Sequence, residues 1–302
     1  MSENDLKMVA FEFYWCCNGQ SGNSSNSGSI ISCFDANHKT RFCICFNMDK
    51  IINFGIPHVS EQIFESINTP ELIKCLEVSK TWKVLAENVL IKRWKGRLFQ
   101  ACNRGYIKVV KLLLDNSNQI DLNARNSRGQ TAFIGSCAYG QSRVVQFLLS
   151  HPSIEVNAQD SKGWTALMWA YTKNHEDIVK LLLHHSDRKI DLNERYDCGS
   201  TTFMLACKDG RKDMVKLFLD NRNLDIDLNT RDYDGYTAFM MASKNGHKDV
   251  VQLLVDNSES IELNARNRKG STPFSLACRR GHKGVIKLRK RQKWRNNLFL
   301  KK

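Results

Sequence analysis

The chain has 302 residues and 42% hydrophobic composition, enough to build one or two packed cores and too apolar for a disordered polymer. Its start, MSENDLKMVAFEFYW, lacks the basic opening and apolar run of a secretory signal. No window reaches the roughly 18 consecutive apolar residues of a membrane span. A soluble intracellular protein with reduced cysteines is therefore expected, in the cytoplasm and without membrane contact.

The net charge of +14 is localised rather than general: residues 1–95 carry 10 basic and 10 acidic side chains, residues 96–278 carry 24 and 21, and residues 279–302 carry 11 and none. The body of the protein is near neutral, which argues against nucleic acid as its main partner.

Residues 1–54 form a Cys/Ser/Gly-rich extension, FEFYWCC followed by GQSGNSSNSGS and CFDANHKTRFCICF, for which poor order is expected. Cys16, Cys17, Cys33, His38, Cys43 and Cys45 are chemically able to bind zinc. Their C-C and C-x-C spacings lack the C-x-x-C of tetrahedral knuckles, so no metal and no cofactor is expected.

Residues 55–95 read as short amphipathic helices punctuated by Pro57, by an Asn-Thr-Pro turn at 68–70 and by the polar Glu87-Asn88. Leu72, Cys75, Leu76, Ser79 and Trp82 follow helical spacing, so one face packs against something. In Ile56-Pro57, Ile63-Phe64, Ile67, Leu72, Val78, Trp82 and Leu85, with VSKTW at 78–82, the segment resembles the F-box family, which opens on Leu-Pro and commonly has V-C/S-K-x-W. One residue fewer separates Pro57 from Ile63 than in the family, and Val59 stands where an acidic residue is usual. The resemblance implies that these residues form an apolar surface for the Skp-type adaptor of SCF-type, cullin-RING, ubiquitin ligases. The alternative is a plain helical cap, closing the first unit of the repeat that follows.

From 96 to 290 the sequence repeats. Gly129, Gly163, Gly199, Gly235 and Gly270 each follow an Asn by six residues and precede a small residue (Ser136, Ala170, Ala206, Ala242, Ala277) by seven. Eight further on comes an apolar pair such as Val144-Val145, and only the loop from that pair to the next Asn varies in length. The unit is therefore a turn, a helix, a second helix and a loop. Glycine supplies positive φ in the turn, Thr two residues later caps the first helix, and the small residue admits a close neighbour. The motifs TAFIGS, TALMWA, TTFMLA, TAFMMA and TPFSLA resemble the T-P-L-H-x-A of ankyrin repeats, with LFQACNRGYIKVVKLLL as an incomplete first unit. An all-α solenoid of five to six repeats is expected, with Cys102, Cys137, Cys207 and Cys278 as small packing residues and His247 and His282 in structural roles.

No catalytic motif appears: G-x-S-x-G, a phosphate loop and H-E-x-x-H are all missing, and no enzyme is expected. In ankyrin repeats partners meet the turn tips and exposed first-helix positions, which implies binding at Arg128, Lys162, Trp164, Tyr139, Lys173, Tyr233 and Tyr236. Trp164, Tyr233 and Tyr236 are the expected aromatic anchors. The tail at 291–302, continuing KLRKRQKWR, is open to three readings: an import signal that would add the nucleus, a phosphate-binding patch, or a solvated helix cap. Taken together, a ubiquitin-ligase substrate receptor holding an unknown protein substrate is expected, with a plain ankyrin scaffold as the alternative.

Overall fold

The computed structural model describes residues 31–34, 40–43, 65, 67–77, 80–116, 120–185, 189–221, 225–256 and 261–291. It divides into two compact units: Met1–Ala101 with Tyr106–Ile120, and Cys102–Gly105 with Asp121–Lys302. Among the described residues no helix is long and apolar enough to cross a membrane.

The first unit holds a two-stranded antiparallel ladder, β1 (Ile31–Phe34) and β2 (Thr40–Cys43), in the register Ile31↔Cys43 to Phe34↔Thr40. It falls within the 1–54 extension; the rest of that extension, its other candidate zinc ligands included, lies outside the described residues.

Two helices follow, α1 (Thr69–Cys75) and α2 (Lys80–Trp94). Asn68 stops the chain from fraying backwards by accepting the Glu71 N–H on its side chain at 3.1 Å, and Pro70 sits in the first turn, where its missing N–H costs nothing. Leu72 and Cys75 of α1 and Ala86, Val89 and Leu90 of α2 are buried, and Trp94 Nε1–H donates to Thr69 Oγ1 at 3.2 Å. Arg93 ties the same entrance down by donating to the carbonyls of Ile67 (2.8 Å) and Glu65 (2.7 Å). Next come α3 (Leu98–Asn103), which spans the division between the units, and α4 (Ile107–Asp115). Helix α2 packs on α4, Trp94 meets Tyr106 edge to face at 5.5 Å, and Lys108 pairs with Glu77.

The second unit is a row of helix pairs: α5 (Ala132–Ala138) with α6 (Ser142–Leu149), α7 (Ala166–Thr172) with α8 (Glu176–His184), α9 (Thr202–Asp209) with α10 (Lys212–Asp220), α11 (Ala238–Asn245) with α12 (Lys248–Asp256), and α13 (Pro273–Arg279) with α14 (Lys283–Arg291). First helices pack on first helices and second on second. Thr131, Thr165, Thr201, Thr237 and Thr272 are the caps, each accepting the N–H three residues on. Ser136, Ala170, Ala206, Ala242 and Ala277 are all completely buried, the condition for close helix approach.

Burial of the thiols of Cys102, Cys137 and Cys207 raises their pKa, that of Cys102 to about 12, and so keeps them as unreactive packing groups. Cys278 departs from that expectation. It occupies the same register position but is exposed; among the described residues no further repeat covers it.

The turn glycines hold positive φ for two separable reasons, conformation and space. At Gly129 (φ 72°) an added Cβ would lie 2.7 Å from the backbone nitrogen of Ser161 in the next turn; at Gly270 (φ 70°) it would meet nothing. Gly270→Ala is expected to cost about 1 kcal/mol, the left-handed backbone penalty alone. Gly129→Ala should cost roughly 2–4 kcal/mol because the neighbouring turn must also shift. Equilibrium urea unfolding of the two variants measures that difference, and equal losses would refute the close approach.

Candidate protein-binding surface

The turns of successive repeats form fingers that hydrogen-bond to one another. Within a finger, Asn126, Asp160, Asp232 and Asn267 each accept the N–H groups two and four residues on through Oδ1, which closes the turn without help from its neighbours. Between fingers, the N–H groups of Ser161, Asp197, Tyr233 and Arg268 donate to the carbonyls of Arg128, Lys162, Cys198 and Asp234, at 3.0–3.1 Å.

Below the tips the repeat Asn residues act as two-pronged clamps. Asn157 Nδ2–H donates to Lys189 O (2.9 Å) while its Oδ1 accepts Asp191 N–H (2.9 Å), and Asn123 and Asn193 do the same to Ser153 and Glu155 and to Asp225 and Asp227. An arginine supplies a third bond: Arg125 to Gln159 O, Arg195 to Arg231 O (2.5 Å) and Arg231 to Arg266 O (2.8 Å).

At the other end of the first helices the expected structural histidines, His247 and His282, have partners, and His175, which was not expected, makes the same bond. Nε2 of His175, His247 and His282 lies 3.2, 2.8 and 2.7 Å from the carbonyls of Ala138, Lys208 and Lys244. A carbonyl can only accept, so each of these nitrogens carries the proton. Gln141 and Arg211 make the same kind of bond to Asn103 O and Tyr171 O. Gly210 (φ 75°) shows why the preceding helix ends on glycine: a Cβ there would run into the His247 ring.

This scaffold leaves one row of side chains facing out. Arg128, Lys162 and Lys173 are exposed, as are Tyr139 (62%) and Tyr233 (57%). Trp164 and Tyr236 differ from the expected free anchors in being half-buried. Trp164 contacts Trp169 (ring centroids 5.1 Å, 43°) and Tyr196 of the next finger (5.0 Å, 47°), and Tyr236 packs on Met240, Ala265 and Leu276.

The sequence reading missed Trp169 and Tyr196. Trp169 Nε1–H donates to Asp160 Oδ2 at 2.9 Å, so the indole braces the finger, and the Lys173 ammonium lies 5.8 Å from its ring. Tyr196 stands where the other fingers have Asp or Asn, exchanging a turn-closing acceptor for an aromatic contact. The signal was available: Trp169 is the only aromatic at the fifth position of the five TAFIGS-type motifs. Cations lie over two other rings too, Arg195 over the exposed Tyr233 at 5.4 Å and Lys244 over the half-buried Tyr236 at 4.6 Å. Aromatic rings and basic side chains thus share this surface with the exposed carboxylates of Asp197, Asp209 and Asp234.

Of the residues expected to meet an adaptor, Leu72 is completely buried and Ile67 and Leu85 are half-buried. Ile56, Pro57, Ile63, Phe64 and Val78 lie outside the described residues, as do the side chain of Trp82 and the basic tail from 292 onward.

Because Trp164 joins two fingers and Tyr139 joins none, Trp164→Ala is expected to lower stability by about 2 kcal/mol and Tyr139→Ala by less than about 0.5 kcal/mol. Urea denaturation followed by circular dichroism checks both, and a neutral Trp164→Ala would show the cluster to be free surface.

The comparisons with known proteins agree with this geometry. The family model described as ankyrin repeats (3 copies) matches residues 98–195 and 186–267, together more than half of the chain. Among solved structures, one chain of a complex between a predatory endopeptidase from Bdellovibrio bacteriovorus and an immunity protein is 26% identical, with a TM-score of 0.53 over 65% of this chain and 97% of that one. The ankyrin repeat protein EF0377 is 23% identical (TM-score 0.58, 66% of this chain and 98% of that one). An ankyrin repeat domain from Acinetobacter baumannii is 22% identical (TM-score 0.55, 63% and 94%). No curated protein sequence matches the chain. With its motif register, its finger-to-finger bonding and these matches, the chain belongs to the ankyrin-repeat family.

Proposed function

We propose that this protein is the substrate-recognition subunit of an SCF-type, cullin-RING ubiquitin ligase, in which residues 55–95 bind the Skp-type adaptor and the ankyrin array holds a protein substrate. Ankyrin repeats bind protein partners, and the array supplies that half of the reading. The observation that carries the other half is at the entrance. Thr69–Cys75 and Lys80–Trp94 fold as a helix pair outside the repeat register, in the stretch whose sequence resembles an F-box through Ile56-Pro57, Ile63-Phe64 and VSKTW.

The burial of Leu72 refines the assignment: its role is to hold α1 on α2. Adaptor contact is left to Ile56, Pro57, Ile63, Phe64, Ile67, Val78, Trp82 and Leu85. Val84, 55% exposed on α2, leaves apolar surface on the same helix.

A second reading rests on the packing of α2 against α4 and the Trp94–Tyr106 contact, which make the helix pair a cap on the first repeat. The two roles use different parts of α2 and are compatible; the second alone would leave a plain interaction scaffold.

Calorimetric titration of the purified full-length protein with purified Skp-type adaptor separates them. Wild type is expected to bind, and Trp82→Ala to weaken binding at least about 30-fold, the cost of removing a hot-spot aromatic, with an unchanged melting temperature. No binding by wild type, or equal binding by a folded Trp82→Ala, removes the adaptor role.

A further inference from the structure

We propose that the outer edge of the last finger, at Asn264, Arg266 and Lys269, binds an extended acidic segment of a partner protein. The proposal rests on the array being the partner-binding half of the molecule and names the chemistry of what it binds.

Three inter-finger bonds recur in the earlier repeats: the Asn clamp, the arginine reaching a carbonyl of the next finger, and the tip carbonyl accepting the next finger's N–H. In the last repeat the equivalents are Asn264, Arg266 and Lys269 O. Among the described residues Asn264 and Lys269 O have no partner at all. Arg266 keeps only the bond to Gly270 O of its own turn (3.0 Å), while Arg231 before it also holds Arg266 O and Glu262. The fifth finger therefore offers an unused row of one side-chain amide, guanidinium N–H groups and a carbonyl, in the positions that grip the next finger elsewhere in the array.

Charge decides among the possible occupants. No Asp or Glu follows Glu262 in the sequence. Arg266, Arg268, Lys269, Arg279 and Arg280 are exposed, and none of them makes an ion pair among the described residues. Residues 292–302 carry four basic side chains and no acidic one, so they are repelled. A second copy meeting edge to edge would oppose like charges in the same way. A nucleic-acid strand continuing along the fingers would run into Asp234, Asp209 and Asp197, all exposed on the two repeats before. A short acidic peptide meets only the cations: its N–H groups can donate to Lys269 O, its carbonyls can accept from Asn264, and its carboxylates can accept from Arg266 in the two-pronged geometry that arginine favours.

The probe is a fluorescein-labelled decapeptide of Asp and Glu, measured by anisotropy against the full-length protein. Its Asn/Gln counterpart and a single-stranded oligonucleotide of equal charge are run beside it. The acidic peptide is expected to bind at least about tenfold more tightly than the amide peptide, and about tenfold more weakly to the Asn264→Ala, Arg266→Ser, Arg280→Ser variant. Binding should be unchanged when Lys293, Arg295, Lys301 and Lys302 are replaced by Gln. Unaltered binding by the triple variant at unchanged melting temperature overturns the proposal, as does loss of binding in the tail variant or tighter binding of the oligonucleotide. Adaptor titration of the same triple variant should match wild type, so failure at this edge is distinguishable from failure of the adaptor reading.

Discussion

The structure depends on side chains that finish their hydrogen bonds in the next repeat. An isolated turn-helix-helix unit buries too little to stand alone, and apolar stacking by itself would let neighbouring repeats slide. The Asn clamps at 123, 157 and 193 remove that freedom, because each satisfies one donor and one acceptor on a loop about 30 residues away. Loop lengths can then vary without disturbing the helices, since the clamp fixes where each loop must arrive. The histidines at 175, 247 and 282 do the same at the opposite end of the first helices.

Much of this was legible in the sequence. The Asn, Gly, Thr and small residues that set the register are the residues that clamp, turn, cap and pack, and each type has a conformational or steric reason visible without coordinates. What was not legible depended on what lies across from a residue. Helical spacing placed Leu72 on an apolar face, but cannot tell a face turned to its own partner helix from one turned to an absent protein. Cys278 shares the register of Cys137 and Cys207 and differs in that no further repeat among the described residues covers it. Trp164 looked like a free aromatic on a turn because Trp169 and Tyr196, which hold it, come five residues on and from the next finger. The arginines at 125, 195 and 231 gave no signal at all, because a cation on a loop is usually solvated.

The same bonding gives the molecule a polarity that bears on function. Interior fingers spend their donors and acceptors on one another and show partners mainly aromatic rings with cations over them, such as Tyr233 beneath Arg195 and Tyr236 beneath Lys244. The last finger keeps its bonding groups and is surrounded by unpaired positive charge. At the N-terminal end the helix pair α1 and α2 stands outside the repeat register.

The central claim is that finger-to-finger side-chain bonds, and not stacking alone, hold the array in register. It is tested most directly by urea unfolding of Asn193→Ala, which deletes a clamp in mid-array while removing almost no apolar contact. The account predicts a loss of roughly 1–3 kcal/mol, the net contribution of the two hydrogen bonds removed, and a shallower transition as the repeats on either side uncouple. A variant within about 0.5 kcal/mol of wild type with the same slope, the range of an ordinary surface substitution, would contradict it.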